Sequence, residues 1–221
     1  MDRRHLLVSI CGGVFVLVAG CSEASDGRYS PSATDTESRP TPPPGDVQRR
    51  VTLAGQDSAP EQAALEITAE VTQPWITAER SALVRISTVN RGSERAFSVG
   101  DHKCAIFNRE KNGSDEPAGL WLHQWPGRTP TRVEGEWVAD RPADETRVYA
   151  AYGCLPRTYE PGEAVVTTYQ VWHDYREDGY LEPGEYRWEQ AVEVWNDPEA
   201  DGGSAPSEEF NWGFSLRVSE S

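Results

Sequence analysis

Lysine is nearly absent from this chain of 221 residues. Lys103 and Lys111 are the only two, and the other 19 basic residues are arginine, against 36 Asp and Glu, for a formal net charge of -15. Phosphate-backbone binding needs clustered Lys and Arg, so sequence-independent nucleic-acid binding is excluded. Methionine occurs once, as Met1, and histidine only at 5, 102, 123 and 173. A blue-copper centre wants two His, a Cys and usually an axial Met, and Cys154-Leu155-Pro156-Arg157 has no neighbouring His, so that chemistry is excluded too. The chain has no His-Glu-x-x-His, no Gly-x-Ser-x-Gly, no phosphate loop, no Gly-x-Gly-x-x-Gly and no Cys-x-x-Cys, which removes the common signatures of zinc proteases, serine hydrolases, nucleotide enzymes and thiol oxidoreductases. No apolar run approaches the roughly 20 residues of a membrane-spanning helix.

What is present is aromatic and turn-rich: 8 Trp, 8 Tyr, 16 Pro and 19 Gly. That composition fits one globular domain with tails rather than a fibrous or wholly disordered chain. Strong acidity with scarce Lys resembles proteins of salt-loving archaea, in which molar salt screens repulsion among surface carboxylates. An ordinary acidic exported protein is the alternative.

The first 20 residues read as an export signal. Arg3 and Arg4 precede an apolar run from Leu6 to Ala19, and small residues follow, the order of charged, hydrophobic and cleavage regions. Arg3-Arg4-His5-Leu6-Leu7 resembles a twin-arginine (Tat) signal, with the general secretory route as the alternative. Leu17-Val18-Ala19-Gly20-Cys21 resembles a lipobox, which implies lipidation of Cys21 and a mature chain beginning there. Residues 21–60 read as a tether. Of the 25 residues from Ser22 to Asp46, 18 are Ser, Thr, Pro, Gly or Asp and none is Leu, Ile, Val or Phe. Such a stretch buries too little apolar surface to offset its ordering entropy, and Pro40 with Pro42, Pro43 and Pro44 stiffens it.

From residue 61 to 221 the pattern has period two. Leu65, Ile67, Ala69 and Val71 form one face, as do Ala82, Val84 and Ile86, and the end of the chain alternates Phe210, Trp212, Phe214, Leu216 and Val218 with smaller or polar residues. Alternation of this kind marks half-buried strands. Glu160-Pro161-Gly162-Glu163 and Glu182-Pro183-Gly184-Glu185 both suit type II turns, and Asn90-Arg91-Gly92 and Asn112-Gly113 mark further turns. The expected fold is all-β: an Ig-like antiparallel β-sandwich of seven or eight strands.

Asn90-Arg91-Gly92-Ser93, Pro161-Gly162-Glu163, Tyr169-Gln170-Val171-Trp172 and Glu182-Pro183-Gly184-Glu185-Tyr186 occur in an order that resembles the Ig-like domain of intracellular-proteinase-inhibitor (BsuPI)-type proteins. The same order resembles small exported haloarchaeal membrane lipoproteins of no assigned function. The resemblance spans about residues 65–195 and implies an Ig-like domain. The chain departs from it in a Cys pair, a long segment from Asn108 to Tyr149 and an extra C-terminal strand.

Candidate sites are few. With Cys11 in the signal and Cys21 lipidated, Cys104 and Cys154 remain as an even pair in an oxidising compartment, expected to form a disulfide. Asp101, His102 and Cys104 form a triad-like fragment whose simpler reading is a turn. His173-Asp174 near Glu177 and Asp178 suits a cation or a solvated hairpin. Asp197, Glu199, Asp201 and Glu208 have calcium-loop spacing with Gly202 at position six. Asn112-Gly113-Ser114 is a glycosylation sequon. Trp121, Trp125 and Trp137 lie where a sugar-binding platform would sit, whereas Trp172, Trp188 and Trp212 fall on strand patterns and read as core.

The expectation is therefore a lipid-anchored protein on the extracellular face of the cell membrane, carrying a non-catalytic Ig-like binding or structural module. Its partners would be the membrane, through the lipid, and a cell-surface protein or glycan; no cofactor and no catalytic residue is implied. A protease-inhibitor-like module and a carbohydrate-binding module are the alternatives. Roughly 160 folded residues are too few for a two-lobed solute-binding protein.

Overall fold

The computed structural model describes residues 46–100, 104–108, 112–127, 134–139 and 154–221. The signal residues Arg3 and Arg4, the lipidation candidate Cys21, and Asp101 and His102 lie outside them. Ten strands occur among the described residues: β1 (Arg49–Gln56), β2 (Leu65–Gln73), β3 (Trp75–Ile76), β4 (Leu83–Asn90), β5 (Arg95–Phe97), β6 (Leu120–Trp125), β7 (Arg157–Tyr159), β8 (Ala164–His173), β9 (Gly184–Trp195) and β10 (Glu208–Ser219). A 3-10 turn spans Glu61–Ala63.

These strands form two antiparallel sheets, ordered β3-β1-β10-β9-β5-β7 and β2-β4-β8-β6. The runs β2-β4-β8-β6 and β5-β9-β10 reproduce the ABED and CFG order of an immunoglobulin-type sandwich. Strand β7 adds to one side of the larger sheet, and β1 and β3 add to the other.

Two sequence expectations need correction. The seven or eight strands become ten, because β3, β5 and β7 are only two or three residues long, too short to display an alternation. The tether does not run to residue 60, because β1 pairs along β10 from Arg50↔Ser219 to Gln56↔Phe214. Val51 is fully buried, so this stretch does have apolar surface to bury. The C-terminal strand, in turn, is no appendage: β10 sits between β1 and β9 in the larger sheet.

The alternation of β9 and β10 fills the space between the sheets. Phe214 lies opposite Trp188, and their rings stack with centroids 5.2 Å apart, a cross-strand pair of the kind that stabilises sheets. Phe107, from the segment after β5, meets Phe214 edge-on at 5.5 Å. Buried indoles need partners for their N–H groups. Trp188 Nε1 donates to the Asn112 carbonyl at 3.0 Å and Trp212 Nε1 to the Asp57 carbonyl at 2.9 Å.

The two Pro-Gly turns differ. Gly162 adopts φ +81, as a type II turn requires. Gly184 instead opens β9, and the left-handed residue of that corner is Leu181 at φ +47. Two residues into β9, the Tyr186 hydroxyl donates back to the Glu182 carbonyl at 2.7 Å, which is the tyrosine corner of Ig-like sandwiches.

Candidate functional site

The smaller sheet carries a second aromatic assembly on its outer face. Along β6, Leu120 and Leu122 point toward the inter-sheet core and are fully buried, so strand alternation sends Trp121, His123 and Trp125 the other way. Trp121 lies opposite Trp172 of β8, and His123 opposite Gln170. The His123 ring stacks on Trp172 with centroids 5.2 Å apart, and Trp137 meets the same indole edge-on at 5.2 Å. Trp137 comes from residues 134–139, which cover this part of the sheet. Its backbone carbonyl accepts the His173 N–H at 2.7 Å, and Ala139 N–H donates to the His173 carbonyl at 2.9 Å.

One row crosses all four strands of this sheet: Gln73 pairs with Leu83, Leu83 with Gln170, and Gln170 with His123. The ladder between β2 and β4 is irregular between Val71 and Gln73. A bulge re-aims the side chains beyond it, so Val71 sits opposite the buried Val84 while Gln73 joins the outer row.

Over this row lies an open cleft of about 390 Å³, lined by Gln73, Glu79, Arg80, Ser81, Leu83, Trp125, Trp137 and Gln170. Its walls are held rigidly. Trp137 Nε1 donates to the Thr77 carbonyl at 2.7 Å. Thr77 closes a turn by donating its N–H to the Arg80 carbonyl at 2.9 Å, and its hydroxyl accepts the N–H groups of Glu79 and Arg80. Gln73 is fixed through Trp75, whose N–H it accepts and whose carbonyl it donates to. Trp125 stands at the rim, 42% exposed, while Trp137 is 4% and Trp172 0% exposed.

Ser81 is buried and its hydroxyl is committed to the Val171 carbonyl, so it is not presented as a nucleophile. Gln170 is 8% exposed; its Oε1 accepts the Trp172 indole N–H at 3.3 Å. Glu79 and Arg80 are exposed at the lip.

The other sequence candidates resolve differently. Cys104 and Cys154 are bonded, with Cα atoms 5.4 Å apart. His173 is buried rather than lining a solvated hairpin: one ring nitrogen meets the Glu177 carbonyl at 3.0 Å, and the other lies 3.5 Å from the Leu181 N–H. Asp174 is fully buried and grips Arg176, whose Nε reaches both carboxylate oxygens at 2.9 and 3.1 Å. The Arg176 guanidinium in turn lies over the Trp121 ring, 5.5 Å from its centroid. The carboxylate is thus already paired, and that pairing also raises the Arg176 pKa further above its ordinary value.

Calcium-loop spacing in Asp197–Glu208 does not gather its four carboxylates. Asp197 accepts the Glu199 N–H at 2.9 Å, and Asp201 accepts the Gly203 N–H and the Ser204 hydroxyl at 3.0 Å each. These bonds hold the Asp201 carboxyl below its usual pKa. Glu208 belongs to β10, opposite Val194. Among the described residues no group of three or more His, Cys, Asp or Glu is placed to hold a metal ion. The loop is a hairpin connection stitched by its own short side chains.

The side chains of the sequon are engaged within the fold. Asn112 Nδ2, the atom a glycan would be joined to, donates to the Leu122 carbonyl at 2.7 Å, and Asn112 Oδ1 is buried. Ser114 is 6% exposed, its hydroxyl bonded to the Pro117 carbonyl at 2.7 Å. An amide that satisfies the free edge of β6 is not presented to a modifying enzyme on the folded protein.

Sequence reasoning missed Gln170 and Gln73, since an isolated Gln in a strand carries no signal. It named Trp125 and Trp137 but could not separate the exposed one from the buried one. Comparison with protein-family models, curated proteins and solved structures finds no match, so the assignment of this cleft rests on its own geometry.

Proposed function

We propose that the chain is an exported protein, anchored through lipidated Cys21 on the extracellular face of the cell membrane, whose Ig-like sandwich is a non-catalytic binding module. The observation that carries the binding reading is the Trp125 cleft. An indole left 42% exposed at the rim of a largely apolar recess costs apolar hydration, and such features mark binding sites on otherwise well-packed proteins. The export signal and lipobox support the anchor, and the Ser/Thr/Pro-rich stretch before β1 supports a tether holding the module off the bilayer. Excess negative charge with two lysines supports a setting of molar salt, whose Debye length of about 3 Å screens carboxylate repulsion. A protease-inhibitor-like role is the weaker reading, because inhibitors present a protruding loop whereas the feature built here is a recess.

The test is a melting-temperature screen of the purified chain against small saccharides, acidic peptides and basic peptides, run in parallel with Trp125→Ala. A solute that raises the melting temperature of the wild type and not of the variant places binding at the cleft. A panel without effect on the wild type, or with equal effect on both, removes the cleft from consideration. Anchoring is tested separately: Cys21→Ser leaves the protein in the soluble fraction or unprocessed, and unchanged membrane fractionation defeats the lipid anchor.

A further inference from the structure

We propose that the entry of the chain into the sandwich controls the cleft, with Gln48 as the positioning residue that joins the two. The proposal adds regulation to the reading of the cleft as a binding site and rests on that reading for its use. Its bonds and its test involve no ligand, so the two ideas fail separately.

Residues 46–48 lead from the stretch read as tether into β1, which begins at Arg49. Gln48 is joined there to both walls of the cleft. Its backbone N–H donates to the Ile76 carbonyl at 2.8 Å, and Ile76 is followed by Thr77, whose turn carries the lip residues Glu79 and Arg80. Its side-chain Oε1 accepts the Tyr180 hydroxyl at 3.1 Å, and that hydroxyl accepts the Trp137 N–H at 3.0 Å. Trp137 Nε1 returns to the Thr77 carbonyl at 2.7 Å. The links form a closed circuit through Gln48, Ile76, Thr77, Trp137 and Tyr180, and Trp137, Glu79 and Arg80 all line the cleft.

The chemistry of the circuit makes Gln48 its controlling member. A phenol has one proton to give, and the Gln48 acceptor aims that proton away from Trp137, leaving the oxygen lone pairs for the Trp137 N–H. Bonds linked through one hydroxyl in this way strengthen each other. The neighbouring residue secures the same corner: Arg49 Nε donates to the Leu181 carbonyl at 2.8 Å, and its Nη2 to the Tyr180 carbonyl at 3.3 Å. On the far side of the entry, Val51 N–H donates to the Pro74 carbonyl at 2.8 Å, and the Arg50 guanidinium lies over the Trp75 ring at 5.2 Å.

Strand ends open at lower free energy than strand centres, and a load on a tether reaches residues 46–48 before any other part of the domain. Release of Gln48 frees the Tyr180 hydroxyl, and with it one of the two bonds that tie Trp137 to the side of the cleft facing the lip. Coupling of this kind is reciprocal. Whatever holds Trp137 against the lip also holds the entry closed, and a pull on the entry slackens the cleft.

The experiment follows hydrogen exchange by NMR on the full chain, labelled with nitrogen-15, for the wild type, Gln48→Ala, Gln48→Glu and Trp137→Phe. The Trp188 and Trp212 indole N–H groups, bonded inside the core, serve as internal references. In Gln48→Ala the Trp137 indole N–H is expected to exchange about fivefold faster than in the wild type, the factor that one hydrogen bond is worth, with both references unchanged. Gln48→Glu keeps an acceptor for the Tyr180 hydroxyl and is expected to restore the wild-type rate. In the reverse direction, Trp137→Phe is expected to speed exchange of the Gln48 amide by a similar factor. Four results overturn the proposal. An unchanged Trp137 indole in Gln48→Ala shows that the entry does not hold the cleft wall. Equal acceleration of all three indoles makes Gln48 a contributor to general stability only. Exchange in Gln48→Glu as fast as in Gln48→Ala removes the acceptor as the cause, and an unchanged Gln48 amide in Trp137→Phe removes the coupling.

Discussion

The two aromatic assemblies of this molecule are built from the same residue types by opposite means. Between the sheets, Trp188, Trp212, Phe214 and Phe107 are covered by strands on both sides and fully buried. On the outer face of the smaller sheet, Trp121, Trp172 and Trp137 are covered by loop segments, and coverage fades across the face until Trp125 is 42% exposed. A sheet covers its partner uniformly, because register repeats every two residues. A loop covers only where it passes. The first arrangement yields a core; the second yields a core with an unfinished edge, and the cleft is that edge.

The sharpest way to break this comparison is to remove one indole from each side. Trp188→Ala deletes a ring that stacks on Phe214, and large-to-small changes of this kind cost about 3–5 kcal/mol. That is a large share of the roughly 5–15 kcal/mol that holds a domain folded. We expect chemical denaturation to show the variant largely destabilised. A loss below about 1 kcal/mol, the level of a conservative core change, would mean that the inter-sheet core is not the stabilising centre.

Next comes the disulfide, which belongs to the loop-built side. Cys104 and Cys154 are 50 residues apart, and the chain between them includes β6 and residues 134–139. Closing such a loop contributes about 2–4 kcal/mol, chiefly by restricting the unfolded chain. The double Cys104→Ser, Cys154→Ser variant is expected to keep its β-sheet circular dichroism in dilute denaturant and to unfold at lower denaturant concentration. Native, non-reduced wild type is expected to resist thiol labelling at both positions. Labelling of both would show the pair to be free.

A smaller effect is expected for Trp137→Phe, which keeps an aromatic ring against Trp172 but loses the indole N–H to the Thr77 carbonyl. A single hydrogen bond contributes about 1 kcal/mol. The stability loss should be of that size, with a larger effect on ligand-induced melting shifts, because the lip carrying Glu79 and Arg80 is pinned through Thr77. Equal, small effects on both readouts would show that the lip does not depend on Trp137.

The smallest expected effect is confined to alkaline pH. Burial raises the Tyr169 phenol far above its ordinary range, and raises Tyr180 and Tyr186 as well. Each is neutral when folded at a pH where the unfolded chain begins to ionise, near pH 10. The stabilisation is therefore fully present below that pH and falls as pH rises through the folded values. Tyr186→Phe, which also loses the 2.7 Å bond to the Glu182 carbonyl, should lower stability by about 1 kcal/mol at neutral pH. Its stability should then decline less steeply than the wild type above pH 10. Parallel declines would show that Tyr186 does not contribute.

Much of the fold was legible along the chain. Period-two runs such as Leu65–Val71 and Phe210–Val218 declare strands because side-chain direction alternates residue by residue, a local property. Gly162 declared its turn for the same reason. The pairing of Cys104 with Cys154 followed from counting, since two cysteines in an oxidising compartment leave one choice. By contrast β1 was read as tether, because its burial comes from pairing with β10, more than 150 residues away in sequence. Short strands β3, β5 and β7 had too few residues to show any period.

The site was legible only in part, for one physical reason: exposure is a property of what covers a residue, not of the residue. Sequence alone determined an acidic, lysine-poor, strand-forming chain with tryptophans at 121, 125, 137, 172, 188 and 212. Only the tertiary structure decided that Trp172, on a strand pattern, would be buried on an outer face under Trp137, and that Trp125 would be left at a rim. It also decided that Asn112 would turn its amide inward to the Leu122 carbonyl, and that Gln170 would line the cleft with its Oε1 held by the Trp172 indole. Covalent neighbours set direction along a strand; distant segments, brought together by sheet register and loop closure, set which of those directions ends in water.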